Sequence, residues 1–278
     1  MEQLLITSCM APIVDRFVLA LADYLGRRLG IAARFVDDIS WQEREKWLDE
    51  GRVDVCWLCG LPYIWKAQND EIELLAAPVM QGSRYAEQPV YFSDVVVHRD
   101  SSLHSFEQLR GASWAFNEAH SHSGHLLTRY KLATRGQNDA YFSAVIAAGS
   151  HQRALELVLR REVDASAIDS TVLELVLEAQ PEIGAQIRVV DTWGPSPIPP
   201  WLVHRRTPPQ LRAELRRLLL AMHEEEQGRA VLKLARIARF TKVRDEDYDA
   251  IRHMERAARH VALEPRAPAP RSTVGDSL

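Results

Sequence analysis

The sequence contains the same helix-to-strand junction twice, and this repeat restricts the fold more than any other feature. The first copy is residues 51–55 (Gly-Arg-Val-Asp-Val), and the second is residues 161–165 (Arg-Glu-Val-Asp-Ala). Each copy closes a run in which short apolar strands alternate with helices. Such alternation is typical of parallel sheets whose faces are covered by helices. We therefore predict an α/β protein with two similar α/β lobes.

Hydrophobic periodicity gives the individual elements. The first half has predicted strands at residues 4–7, 32–36 and 53–58 and helices at residues 14–29 and 41–48. The second half has predicted strands at residues 113–116, 141–145 and 165–168 and helices at residues 126–132 and 151–160. From Pro208 onward the spacing predicts helices, with Ile237 on the apolar face of one of them.

Two long runs, residues 89–97 and 187–203, are suited to cross between the lobes and to form a hinge. We predict that residues 1–92 and 195–264 build lobe I and that residues 93–194 build lobe II. The remaining segment, residues 265–278, is rich in Pro, Ala and polar residues, so we expect a disordered tail. A two-lobed protein of this kind commonly closes on a ligand in the cleft between its lobes.

Composition excludes several classes of partner. The 278 residues are 46% apolar and 26% charged, with a formal net charge of −4. This charge gives no general attraction for nucleic acid or anionic membranes. No apolar run approaches the roughly 20 residues that span a bilayer, so we expect no membrane insertion. An anion would have to be bound by local geometry, and we expect a monomer.

The first nine residues end like a lipoprotein cleavage site, but they lack a basic leader and a long apolar stretch. We interpret them as the first strand. The location is periplasmic or extracytoplasmic if an export signal was removed, and cytoplasmic otherwise. The cysteines Cys9, Cys56 and Cys59 form an odd set that does not suggest a disulfide framework.

The most informative polar segment is residues 117–125 (Asn-Glu-Ala-His-Ser-His-Ser-Gly-His), which we call the Ser/His loop. It lies between a predicted strand and a predicted helix, where unpaired N–H groups favour an anion. Hydroxyl groups, a glycine and imidazoles suit an oxyanion. The alternative is that Ser121 or Ser123 serves only as a helix cap.

Three further loops follow predicted strands. They contain Met10, residues 59–63 with Tyr63, and residues 169–171 with Asp169. Ligands of α/β sheets bind beyond the carboxyl ends of the strands, so all four loops can face one cleft. Two of these residues also have structural alternatives, because Tyr63 can pack under its loop and Asp169 can cap the next helix.

The histidines and cysteines suggest two other kinds of function, metal binding and redox chemistry. The histidines His120, His122 and His125, with His151 or Asp169, are residue types that bind zinc or nickel, but their spacing matches no familiar metal motif. The pair Cys56 and Cys59 has thioredoxin-like spacing, yet Cys56 lies inside an apolar strand. The sequence contains no nucleophile elbow and no Gly-rich nucleotide loop, so we predict a binding protein without a cofactor rather than an enzyme.

The motifs, in this order, resemble the phosphate/phosphite/phosphonate solute-binding proteins of ABC transporters, which have the type II periplasmic-binding-protein fold. The matching segments are residues 10–12 (Met-Ala-Pro), 51–55, 91–97 (Tyr-Phe-Ser-Asp-Val-Val-Val), 109–111 (Leu-Arg-Gly), 114–116 (Trp-Ala-Phe), 121–124 (Ser-His-Ser-Gly), 149–151 (Gly-Ser-His), 163–169, 240 and 247–248. The resemblance implies a small anionic ligand, in this case a phosphonate, phosphite or phosphate-like oxyanion, and an ABC transporter permease as partner. The alternative ligand is another small anionic metabolite.

The resemblance also implies individual roles. The family's Ser-Thr-Ser-Gly loop, which grips the phosphonate oxygens, matches the four residues Ser121, His122, Ser123 and Gly124. Its His in Gly-Ser-His matches His151, which would donate to the same oxyanion. Its aromatic residue in the crossing strand matches Tyr91, and its acid after the last strand of the second lobe matches Asp169. His122 departs from the family's Thr, and a charged His122 at lower pH would strengthen anion binding.

Overall fold

The computed structural model describes residues 3–267, which form eleven strands and nine α-helices. The strands are β1 (Gln3–Ser8), β2 (Ala32–Phe35), β3 (Val55–Trp57), β4 (Ile72–Met80), β5 (Val90–His98), β6 (Ser113–Phe116), β7 (Ala144–Ala147), β8 (Ala165–Asp169), β9 (Ile187–Pro197), β10 (Trp201–His204) and β11 (Ile237–Thr241). The helices are α1 (Asp15–Leu29), α2 (Trp41–Asp49), α3 (Gly60–Lys66), α4 (Leu127–Thr134), α5 (His151–Leu159), α6 (Ser170–Ala179), α7 (Pro209–Ala221), α8 (Glu226–Lys233) and α9 (Asp249–Ala258).

Lobe I is built on a six-stranded sheet with the order β11-β4-β10-β3-β1-β2. Strand β1 pairs parallel with β2 and β3, and β10 pairs antiparallel with β3 and β4. Helix α1 buries Phe17, Leu21 and Leu25 against one face, as its apolar spacing predicts. It ends at Gly30, whose φ of 67° suits a left-handed helix cap.

Lobe II is built on a five-stranded sheet with the order β7-β6-β8-β5-β9. Strand β6 pairs parallel with β7 and β8, and β5 pairs antiparallel with β8 and β9. The order β7-β6-β8-β5 repeats the order β2-β1-β3-β10 of lobe I, including the antiparallel fourth strand. The prediction of two similar α/β lobes is therefore confirmed.

The chain crosses between the sheets twice, from β4 to β5 and from β9 to β10. These crossings confirm the predicted hinge. The C-terminal segment then contacts both lobes. Helix α9 packs against α3 of lobe I and α4 of lobe II, and Val261 and Leu263 belong to the core of lobe II. The packing of residues 249–263 is thus shared between the lobes.

The predicted tail starts at residue 265, and its first described residues are held in place. The Arg266 N–H donates to the Val145 carbonyl at 2.8 Å, and the Arg266 carbonyl accepts from the Val145 N–H at 2.9 Å. Disorder is therefore the wrong prediction for residues 265–267. Residues 268–278 lie outside the described part of the chain, and the exact division into lobes stays a prediction.

Three local predictions differ from the structure. Ile237 begins strand β11 and pairs with β4, because a short apolar run fits a strand as well as a helix. The predicted strand at residues 141–145 starts later, since Tyr141 ends a short helical turn. Residues 60–63 begin helix α3 and do not form a loop. Within the described residues, no helix is both long enough and apolar enough to cross a membrane.

Candidate functional site

A cavity of about 220 Å³ lies between the lobes at the carboxyl ends of six strands, β1, β2 and β3 of lobe I and β6, β7 and β8 of lobe II. Parallel α/β sheets place their ligand sites at this edge. The lobe I lining is Cys9, Met10, Ala11, Pro12, Ile39, Ser40, Trp41, Arg44 and Cys59. The lobe II lining is Asn117, Glu118, Ser121, Ser123, Gly149, Ser150, His151, Asp169 and Val172.

The Ser/His loop enters helix α4 through a wide turn. Ser121 caps this turn, and its Oγ accepts a hydrogen bond from the Gly124 N–H at 3.1 Å. Residues His122–Leu126 form one π-helical turn, a geometry that is frequent at functional sites. The capping alternative for Ser121 therefore holds. Because the Ser121 Oγ is the acceptor in this cap, its proton is free to be donated, so capping and ligand contact are compatible.

Gly124 lets the loop approach its neighbours. A Cβ at this position would lie 2.0 Å from Asn117 Oδ1 and 3.2 Å from His151 Cε1. The Asn117 carbonyl accepts a hydrogen bond from the Gly149 N–H at 2.7 Å. The loops after β6 and β7 are thus held close together, and a side chain at position 124 would displace Asn117.

Ser123 and His151 form the centre of the lobe II wall. Ser123 Oγ is hydrogen-bonded to His151 Nε2 at 3.0 Å and lies 3.5 Å from Ser121 Oγ. The Ser93 hydroxyl donates to the Ser123 carbonyl at 2.9 Å and fixes the backbone. Burial lowers the pKa of His151 to about 3, so the imidazole is neutral and carries one N–H. The two hydroxyls and the imidazole converge on one point of the cavity wall.

Two carboxyl groups also face the cavity. Asp169 caps α6, and its Oδ1 accepts hydrogen bonds from the Thr171 N–H and hydroxyl at 2.8 and 2.7 Å. Burial raises the pKa of Asp169 to about 6. Burial likewise raises the pKa of Glu118 to about 7, against the opposing charge of His120. The Oε2 atom of Glu118 is buried and has no hydrogen-bond partner among the described residues.

The lobe I wall contains residues that the sequence analysis missed. Arg44 donates to the carbonyls of Ser8, Asp37 and Ile39 at 2.9, 2.7 and 3.0 Å. Among the described lining residues it is the only Arg or Lys. Arg44 lies in the segment that follows β2. The rule that ligands bind beyond the strand ends would have included this segment.

His122 does not line the cavity. Its side chain is fully buried, its ring lies 6.1 Å from that of Tyr91, and its N–H donates to Cys59 Sγ at 3.4 Å. Burial lowers the pKa of His122 to about 4. Burial opposes the charged form of His122, and a gain in anion binding from its protonation at lower pH stays a prediction. Tyr91 is also buried, opposite Ser196 in the β5–β9 ladder, and lies behind the loop.

Tyr63 lies in helix α3 and does not line the cavity. Its hydroxyl donates to Asp245 at 2.7 Å, and its ring meets that of Tyr248 edge to face at 4.7 Å. The packing alternative therefore describes Tyr63. Of the predicted residues, five line the cavity: Met10, Ser121, Ser123, His151 and Asp169. The other four lie outside the lining: Tyr63, Tyr91, His122 and Gly124.

The structure does not assemble the rival metal site. His120 faces Glu45 at 3.1 Å, His122 is buried, and His125 packs on Phe116 with ring centres 4.8 Å apart. Within residues 3–267, no group of three or more His, Cys, Asp or Glu side chains is placed to hold a metal ion.

The rival redox site also lacks support. Cys56 is fully buried in β3, beside Cys9 with the sulfurs 3.9 Å apart. Burial raises the pKa of Cys59 to about 11, the opposite of what activates a thiol.

The two similar lobes and the cleft between them define a solute-binding protein with the type II periplasmic-binding-protein fold. A family model described as "ABC transporter, phosphonate, periplasmic substrate-binding protein" matches residues 12–248. This match covers most of the chain, and the chain belongs to that family. Its members are binding components of ABC transporters and not enzymes, so this protein binds a small ligand.

Solved structures agree on the fold. PhnD1 from Prochlorococcus marinus, in complex with methylphosphonate, has a TM-score of 0.81 and 19% identity over 94% of this chain and 99% of its own. A binding protein component of an ABC phosphonate transporter from Pseudomonas aeruginosa has a TM-score of 0.81 and 17% identity over 93% and 87%. XAC2383 from Xanthomonas citri, bound to ATP, has a TM-score of 0.73 and 19% identity over 94% and 100%.

Proposed function

We propose that this protein captures a small phosphorus oxyanion, such as a phosphonate, phosphite or phosphate, in the interlobe cleft and presents it to an ABC permease. The observation that carries the proposal is the convergence of the Ser121 and Ser123 hydroxyls and His151 on one wall. Hydroxyls and an imidazole N–H are suitable donors for an oxyanion. The protein acts as a monomer in this proposal.

Arg44 in the cavity lining supports an anionic ligand. Its guanidinium is bonded to three backbone carbonyls, and no salt bridge to a carboxylate is found for it among the described residues. A protonated Asp169 below about pH 6 donates to a ligand oxygen, and an ionised Asp169 accepts from a protonated one. We assign direct contact to the five lining residues of the prediction. We assign His122, Gly124 and Tyr91 the role of holding the Ser/His loop from behind.

The test is isothermal titration of refolded, ligand-free protein with phosphate, phosphite, methylphosphonate and 2-aminoethylphosphonate, with ATP as a larger anion. The variants Ser121→Ala and Ser123→Ala each remove one donor. Each should weaken binding of the preferred oxyanion by roughly tenfold or more, since a hydrogen bond to a charged group contributes about 1.5 to 3 kcal/mol.

Ser143→Ala is the matched control, because Ser143 is exposed on lobe II and lies outside the cavity lining. It should bind like the unmodified protein. Unchanged affinity in both Ser121→Ala and Ser123→Ala would show that the Ser/His loop does not bind the ligand. If only ATP binds, the proposed ligand is wrong and the cleft binds a nucleotide. Gel filtration in the presence of ligand tests whether the protein is a monomer.

A further inference from the structure

A contact between the two lobes lies beside the cavity and outside its lining. The His120 ring of lobe II reaches across to lobe I, where it meets Trp41 of α2 and Trp65 of α3 edge to face, with ring centres 5.6 and 5.2 Å away. Its Nδ1 lies 3.1 Å from Oε2 of Glu45 in α2. Trp41 lines the cavity, and so does Glu118, two residues before His120. The contact therefore lies at the edge of the cavity, where the lobes must separate when the cleft opens.

The partner of His120 is a buried carboxylate. Glu45 is 8% exposed, and its other oxygen, Oε1, lies 3.1 Å from the Lys66 ammonium group. Lys66 also pairs with Asp49 at 2.6 Å. With a neutral imidazole, two carboxylates share one ammonium group, and protonation of His120 balances the charges. A buried carboxylate is stabilised by a nearby positive charge, so Glu45 favours the protonated form of His120.

The pKa shifts agree with this arrangement. The hydrogen bond to Glu45 raises the pKa of His120, and the charges of Glu45 and Glu118 raise it further, whereas burial and Lys66 lower it. Burial acts to raise the pKa of Glu45, but the hydrogen bonds and charges of His120 and Lys66 outweigh it and lower this pKa. Lys46 of α2 lines a shallow surface depression together with His120 and adds one more positive charge there.

We propose that His120 and Glu45 are positioning residues that hold the two lobes closed on the ligand, and that protonation of His120 strengthens this closure although neither side chain touches the ligand. The inference uses the ligand of the proposed function and adds a control of the lobes by pH. Opening the cleft moves the Ser/His loop away from α2 and α3, so the imidazole leaves both tryptophans and the carboxylate.

The direction of the pH effect follows from linkage between the proton and closure. The pKa of His120 is raised in the closed form, whereas an exposed imidazole in an open form titrates near the ordinary value of 6.5. The pair therefore contributes fully to closure below the ordinary value, and this contribution is lost as the pH rises through the raised one. Ligand affinity follows closure, because the ligand binds between the closed lobes.

The experiment compares affinities between variants at each pH, because Asp169, Glu118 and the ligand titrate in all of them. Isothermal titration with methylphosphonate should show His120→Gln binding about two- to fivefold more weakly near pH 5.5, the size expected of a partly exposed ion pair. Near pH 9 the two proteins should agree to within about 1.5-fold. His104→Gln changes an exposed histidine of lobe II outside the lining and should match the unmodified protein throughout.

Two further measurements separate the ion pair from simple packing. If His120 and Glu45 act together, the double variant with Glu45→Gln and His120→Gln should bind no more weakly near pH 5.5 than the weaker single variant, within about twofold. In an NMR titration, saturating methylphosphonate should raise the pKa of His120, because ligand and proton both favour the closed form. The absence of one signal from His120→Gln assigns this histidine.

The outcomes distinguish this inference from the proposed function. A constant affinity ratio between the two pH values, or a pKa of His120 that the ligand leaves unchanged, overturns the role of the pair while the oxyanion site stands. If no phosphorus oxyanion binds, the proposed function fails, and small-angle scattering of the ligand-free protein decides the inference. The radius of gyration should then be smaller near pH 5.5 than near pH 9, and His120→Gln should abolish this difference. No difference in the unmodified protein overturns the inference as well. Thermal unfolding verifies that each variant is folded.

Discussion

The two walls of the cleft are built differently, although they come from similar lobes. The lobe II wall consists of polar groups tied to each other, with Ser121 bonded to Gly124 and Ser123 bonded to His151. The lobe I wall consists of larger side chains around Arg44, whose guanidinium is bonded to backbone carbonyls. One wall therefore presents hydroxyl and imidazole groups in fixed directions, while the other supplies shape and a single fixed charge.

The largest effect should come from Gly124→Ala, which breaks the lobe II wall. The new Cβ would lie 2.0 Å from Asn117 Oδ1, so Asn117 and the turn that carries Ser121 and Ser123 must move apart. Two hydrogen bonds to the anion are then lost at about 1.5 to 3 kcal/mol each, and affinity should fall by more than about 100-fold. Titration with the preferred phosphonate measures the loss.

The control for this variant is Gly184→Ala. A Cβ at Gly184 would have its nearest contact at 3.7 Å, which is ordinary van der Waals distance. This variant should therefore bind like the unmodified protein. If Gly124→Ala retained most of its affinity in a folded protein, the lobe II wall would not be the oxyanion-binding surface.

A smaller effect should come from Arg44→Gln in the lobe I wall. It removes the only Arg or Lys among the described lining residues, a change of about 1 kcal/mol or roughly fivefold in affinity. The loss should be similar for all phosphonates and should shrink at high salt, because it is electrostatic. Arg16→Gln, at an exposed residue of α1, is the charge control. A loss as large as that of Gly124→Ala would mean that both walls grip the oxyanion.

The smallest effect concerns His120, where the two walls meet. The His120 ring of lobe II lies between Trp41 and Trp65 of lobe I, at 5.6 and 5.2 Å, and its Nδ1 is 3.1 Å from Glu45. The hydrogen bond to Glu45 raises the pKa of His120, and the charge of Glu118 raises it further. Burial and the charge of Lys66 act in the opposite direction and lower this pKa.

Because the pKa of His120 is raised in the folded protein, its pairing stabilises the fold fully below the ordinary value of 6.5. This contribution is lost as the pH rises through the raised value. His120→Gln should therefore lower the melting temperature by about 1 to 3 °C near pH 5.5 and by less near pH 9, as expected for a partly exposed pair. An equal shift at both pH values would mean that the histidine acts through packing alone.

The sequence was sufficient to predict the two lobes, because the repeated pattern of strands and helices depends on the spacing of neighbouring residues. Ser121, Ser123, His151 and Asp169, which were chosen from the sequence, all line the cavity, since they lie at the ends of parallel strands or just beyond them. The sequence could not tell which way His122 turns. That direction depends on the π-helical turn, whose residues lie against Asn117 and are hydrogen-bonded to Ser93 of β5.

The predictions for Tyr63 and Ile237 were wrong because contacts with distant residues decide their positions. Tyr63 follows a strand end, yet its partner Asp245 lies far away in the sequence and draws its hydroxyl out of the cleft. Ile237 fits either a helix or a strand locally, and pairing with β4 decides between them. Arg44 was accessible to the same strand-end reasoning that found Met10, because the loop after β2 ends at the same edge of the sheet.

The C-terminal segment has a consequence for how the chain folds during synthesis. The strands of lobe II are complete at Pro197, but its core also contains Val261 and Leu263. Lobe II therefore exposes an apolar groove on the ribosome until those residues emerge, after the rest of lobe I has been made. At roughly 5 to 20 residues per second this gap lasts several seconds, so a lobe II that folded early would leave this part of its core uncovered for that time.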